Sequence, residues 1–228
     1  SEAIPPGTLS AEQTRRLVAR FGEAYHREAF VDALITEGLN QQAMLSNSQW
    51  FSMYGRRAPE MVVSLVTAQE RNTSARVMNR LIEVAPLPYY EAVEQLRPIQ
   101  AELDKKPDSY FGVIRSYVKS IFMRGPGRYL ESNALFEALL DVARLGLLIE
   151  DYQRQHGTCP ESLEILAPEF GGTIPMDPMS GQAYIYKPGA EGFLLYSAGL
   201  NGKDDGGKGG RIGEDDLVWR RWMRQSKE

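Results

Sequence analysis

Between Tyr196 and Trp219 the chain reads YSAGLNGKDDGGKGGRIGEDDLVW, with seven glycines and five carboxylates between apolar ends. Crowded carboxylates repel one another unless something positive neutralises them. Glycines let main-chain carbonyls turn inward. Together these residue types could wrap a hard cation through oxygen ligands, or form a plain solvated loop. From Asn201 to Asp216 the five acids face three cations, Lys203, Lys208 and Arg211, which could pair with the same carboxylates at modest gain. An EF-hand is excluded by spacing: counting from Asp205, the third and fifth positions are Gly207 and Gly209, which have no side-chain oxygen. Zinc is disfavoured, since the loop holds no His or Cys.

Chemistry elsewhere is sparse. The two histidines, His26 and His156, lie in different segments, and HREAF (26–30) is not a zinc-protease signature because its fifth residue is Phe30. There is no Gly-x-Ser-x-Gly elbow, and RGPGR (124–128) lacks the spacing of a phosphate-binding loop. Glu23, Glu28, Asp32 and Glu37 read as an ordinary charged helix face, so no enzyme is expected. Cys159 is the single cysteine and cannot form an intramolecular disulfide. The aromatic groups WFSMY (50–54) and Tyr89–Tyr90 read as core or interface rather than as a ligand groove.

The elements that must position the loop follow from periodicity. Ser10, with Gln13 three residues later, is a capping-box start for a helical stretch whose apolar stripe includes Leu17, Val18, Phe21, Tyr25, Phe30, Leu34, Ile35 and Leu39. Gly22 and Gly38 are its expected weak points. A second stretch starts near Pro59 and stops at Pro86 and Pro88; a third, from Tyr89, is expected to kink or divide at Pro98. DSYFGVIRSYVKSIFM (108–123) predicts another helix, and RGPGR a turn. The strongest helix is expected from Ser132 or Asn133 to Gly157, a left-handed cap, followed by a short helix with Pro160 in its first turn. Beyond residue 170, AYIYK (183–187), GFLLYS (192–197) and DLVWR (216–220) predict strands, with PGAEG (188–192) as a hairpin connection. The fold class is therefore α+β: a helical region over residues 1–130, then a module over 131–228 in which a long helix leads into a small antiparallel sheet.

That module resembles the C-terminal half of the type II secretion major pseudopilin. The residues carrying the resemblance are Tyr152, Gly157, Cys159-Pro160, Pro175, Asp177-Pro178, Gly181, Tyr184, Tyr186, Tyr196-Ser197, Gly199, Asn201, Gly202, Lys203 and Asp216, over roughly residues 134–220. The chain departs from the family's pattern in lacking its N-terminal apolar helix, in having Cys159 where an aromatic residue stands, and in having Asn201 for the first loop acid. The resemblance implies a calcium ion in the glycine-rich loop. Its candidate ligands are Asp204, Asp205, Asp215 and Asp216, with Asn201 and the Leu200 carbonyl as supplementary oxygens. Calcium suits such a set because it takes six to eight oxygens at about 2.3–2.6 Å in irregular geometry.

The remaining bulk properties limit partners. With 43% hydrophobic and 25% charged residues the composition is globular, and a net charge of −4 provides no footprint for nucleic acid. No apolar run approaches the roughly 20 residues that span a bilayer, and no signal peptide is evident, so membrane attachment is expected only through a segment outside this chain. The expectation is a non-catalytic, extracytoplasmic envelope protein, in the periplasm or cell envelope, that binds a protein partner or itself. Two alternatives stand: a helical ligand-binding or enzymatic domain capped by the C-terminal module, and a secretion or pilus component anchored by a missing N-terminal segment.

Overall fold

The computed structural model describes residues 9–46, 60–103, 126–189, 192–209 and 216–219. Ser10 starts helix α1 (Ala11–Ala24): its hydroxyl accepts from the Gln13 N–H at 3.2 Å, and Gln13 Oε1 accepts from the Ser10 N–H at 2.8 Å. This is the expected reciprocal capping box. The break before α2 (Arg27–Ser46) falls at Tyr25 and His26, not at the glycines. Gly22 and Gly38 lie within α1 and α2, against Arg144 and Met78. Tyr25 takes an extended conformation, and its hydroxyl accepts from Asn133 Nδ2 at 2.8 Å. A tertiary contact, rather than a helix breaker, marks the corner.

Helix α3 (Glu60–Val84) ends before Pro86 and Pro88. Helix α4 (Tyr89–Leu103) continues past Pro98 without dividing. Helix α5 (Pro126–His156) begins six residues before Ser132, so the last part of the expected RGPGR turn is helical. Proline suits a first helical position because its missing N–H and fixed φ cost nothing there. The end of α5 is as expected: Gly157 has φ +79° and its N–H returns to the Gln153 carbonyl at 2.8 Å. Residues 108–123 and 50–54, where a helix and an aromatic group were expected, lie outside the described residues.

After α5 comes a 3-10 helix, Leu163–Phe170, closed by Gly171; it starts three residues beyond Pro160, which therefore lies outside the first turn where the short helix was expected to hold it. Among the described residues three antiparallel strands follow in the order β1 (Ile185–Gly189), β2 (Gly192–Ser197), β3 (Leu217–Val218). The register pairs Ile185 with Tyr196, Gly189 with Gly192, and Ser197 with Leu217. Pro188 is tolerated because β1 is an edge strand. The protein is thus α+β, mostly helical with a small antiparallel sheet.

The described residues form two compact units, one drawn from Ser1–His26 with Ser132–Glu228, the other from Arg27–Glu131. Helix α1, which the sequence reading groups with residues 1–130, shares its core with the C-terminal module. That core contains Val18 of α1, Val142, Leu145, Leu148 and Ile149 of α5, Leu163 and Leu166, and Tyr184 and Leu195 from the sheet side. Arg154 reinforces the pairing by donating to the Leu9 carbonyl and to Thr14 Oγ1. Trp219 lies so close to Gly146 that a Cβ there would meet its ring at 2.4 Å, which explains a glycine in the middle of a long helix. The second unit is a helical core of Leu34, Val77, Met78, Leu81, Val84, Ala92, Leu96 and Leu130. The chain therefore leaves the first unit after His26 and re-enters it at Ser132, close in space as the Tyr25–Asn133 bond shows.

Candidate functional site

The acid-rich loop is built upon a buried carboxylate. Asp177 is 1% exposed and sits in a turn closed by its own N–H to the Gln182 carbonyl and by the Gly181 N–H to the Asp177 carbonyl, both 2.8 Å. Its Oδ1 accepts from the Met179 N–H at 3.0 Å. Its Oδ2 accepts from Ser180 Oγ at 3.1 Å, Ser197 Oγ at 2.9 Å and the Ala198 N–H at 3.2 Å. Four donors satisfy a charge that burial would otherwise make costly. They also join the PMDPMSG turn to the end of β2, so this single residue sets where the loop starts.

From there the loop braces itself. Asn201 Oδ1 accepts from the Lys203 N–H at 2.8 Å, and Asn201 Nδ2 donates to Asp205 Oδ2 at 2.9 Å. Asp204 Oδ1 accepts from the Tyr196 hydroxyl at 2.7 Å and the Gly206 N–H at 2.8 Å. These bonds hold the Asp204 carboxyl below its ordinary value, with Lys187 assisting, while burial and then the Asp204 bond push the Tyr196 hydroxyl up to about 12. Asp216, 4% exposed, accepts from the Asp205 N–H at 3.3 Å and the Gly207 N–H at 2.7 Å. It stands immediately before β3, so it draws the middle of the loop back to the last strand.

The structure thus gathers Asn201, Asp204, Asp205 and Asp216 into one loop, with Leu200 half-buried in the turn closed by the Gly202 N–H to the Gly199 carbonyl. Asp215 lies outside the described residues. Among the described residues no group of three or more His, Cys, Asp or Glu side chains is disposed to hold a metal ion. The carboxylates here are met by main-chain N–H groups, a tyrosine hydroxyl and an asparagine amide. No family model, curated protein or solved structure matches this chain.

Sequence reasoning missed a second polar cluster beneath the sheet. Tyr184, 3% exposed, donates its hydroxyl to Asp141 Oδ2 at 3.0 Å. Arg144 Nη1 stands 3.9 Å from Asp141 Oδ1, and its guanidinium lies over the Phe170 ring, 4.1 Å from the centroid. Burial pushes the Asp141 carboxyl up to about 6, with Glu137 and Asp177 adding to the rise, and the Tyr184 bond and Arg144 opposing it. Burial and the facing Asp141 push the Tyr184 hydroxyl far above the phenol range. The signal was available: Asp141 falls on the face of α5 that also carries Ala134, Ala138, Val142, Leu145 and Leu148, where an acid is out of place.

The remaining chemical candidates are occupied structurally. His156 stacks on Tyr152 at 4.0 Å between centroids and donates from Nδ1 to the Tyr152 carbonyl at 3.0 Å. Burial pushes the Cys159 thiol up, away from a reactive thiolate.

Proposed function

We propose that this chain is a non-catalytic envelope protein whose unit of residues 132–219 and α1 is a pseudopilin-like module serving protein–protein interaction or assembly. The observation that carries the reading is the chain order around one knot. Helix α5 is followed by the turn organised by Asp177, then the β1–β2 hairpin, then a glycine- and acid-rich loop returned to β3 by Asp216. The resemblance orders the same residues in the same way. In this reading calcium rigidifies the loop, with Asp204, Asp205, Asp215 and Asp216 as acids, and Asn201 and the Leu200 carbonyl completing the oxygens. The helical unit offers the partner surface.

The test has two arms. Calcium at about a hundredfold excess over its Kd adds about 2.7 kcal/mol of stability, so the purified chain should melt several degrees higher in calcium than in EDTA. Identical melting curves remove the metal from the proposal. The full-length gene product, followed by cell fractionation, should be recovered outside the cytoplasm; recovery in the cytoplasm overturns the envelope assignment.

A further inference from the structure

Four carboxylates are buried among the described residues, and one differs from the rest. Asp177 accepts four hydrogen bonds and Asp216 two main-chain N–H bonds. Asp151 is held by Arg154 at 2.8 Å and by Gln155 at 2.7 Å. Among the described residues Asp141 accepts a single hydrogen bond, from the Tyr184 hydroxyl. Its neighbouring cation is out of hydrogen-bond reach at 3.9 Å, because Arg144 is spread over Phe170 and backed by Gly22, whose Cβ position is 3.3 Å from the guanidinium carbon. Arg144 Nε is itself buried with no hydrogen-bond partner among the described residues. The Asp141–Tyr184 bond joins α5 to the segment leading into β1.

We propose that Asp141 is a proton-sensitive clasp between α5 and the segment leading into β1, its uptake of a proton making the folded unit more stable. The groups acting on it are Tyr184 and Asp177 from the sheet side, and Glu137 and Arg144 from its own helix. Helix α1 meets Arg144 through Gly22, which carries no charge. As an anion, Asp141 has one donor and two nearby acids. As a neutral acid it escapes the cost of burying a charge, keeps the bond to Tyr184 and sheds the repulsion from Glu137 and Asp177, at the loss of the attraction to Arg144. The folded carboxyl titrates near 6, and an unfolded Asp near 3.9. The folded state then binds more protons between those values, so stability falls as pH rises through that window. The clasp depends on no metal in the loop.

The experiment compares unfolding of the full chain and of Asp141→Asn between pH 4.5 and pH 7.5, alongside carboxyl-carbon NMR of Asp141 in the unaltered chain. The unaltered chain should lose on the order of tenfold in its folding constant over that range through this residue, and the difference between the two profiles cancels whatever the rest of the chain contributes to both. Tyr184→Phe, which removes a bond that favours the anion, should move the Asp141 titration further up. A carboxyl resonance titrating near pH 4 overturns the clasp, and so do parallel profiles for the two proteins. If Asp141→Asn does not fold, the NMR titration decides alone.

Discussion

The two units are stabilised by different means. In Arg27–Glu131 the described core is aliphatic side chains on helices, and Ser74 is its one buried polar residue among those described. In the other unit Thr14, Asp141, Asp151, Asp177, Ser197 and Asp216 are all buried. The difference follows from backbone accounting. A helix satisfies its own N–H and C=O groups, so apolar packing suffices. Turns and a short sheet leave main-chain donors that need partners from side chains. Asp177 and Asp216 supply those partners at Met179, Ala198, Asp205 and Gly207.

This contrast is best attacked at Asp177. Asp177→Ala leaves two main-chain N–H groups and two serine hydroxyls without their acceptor, and should cost about 4 kcal/mol. Hydrogen exchange should accelerate across 176–199 while residues 72–103 keep their protection. Uniform acceleration in both units would show that they unfold as one body. Leu81→Ala asks the reverse question. Leu81 is fully buried in the helical core, so its truncation should cost about 3 kcal/mol through a cavity, with the faster exchange confined to 60–103. The smallest effect is expected at the start of α1. Ser10→Ala removes half of the capping box and should cost about 1 kcal/mol. Because α1 packs on α5, the loss should appear as faster exchange in 11–24 and along 142–154, leaving α3 unchanged; the opposite pattern would place α1 in the helical unit.

Legibility followed the range of the interactions. GFLLYS was predicted as a strand at its observed limits because a short β-prone run and the glycines around it agree within six residues. The break in the first helical stretch was misplaced for the converse reason: Gly22 and Gly38 are local signals, whereas the corner at Tyr25 is set by Asn133, more than a hundred residues away. The acid loop was legible as a cluster of ligand-capable residues. Which N–H groups its carboxylates would meet was not, because Asp216 reaches back eleven residues to Asp205.

The amino-acid order by itself determined the caps at Ser10 and Gly157, the stop at Pro86 and Pro88, the mostly helical α+β class and the concentration of acids in one glycine-rich loop. Each depends on a few neighbouring residues, whose backbone preferences act within a turn or two of the chain. Only the tertiary structure decided that α1 joins the C-terminal unit, that Asp177 collects four donors, and that Asp141 lies buried beneath Tyr184 with one. Those outcomes depend on which distant surfaces exclude water together, and burial then sets what each charge costs.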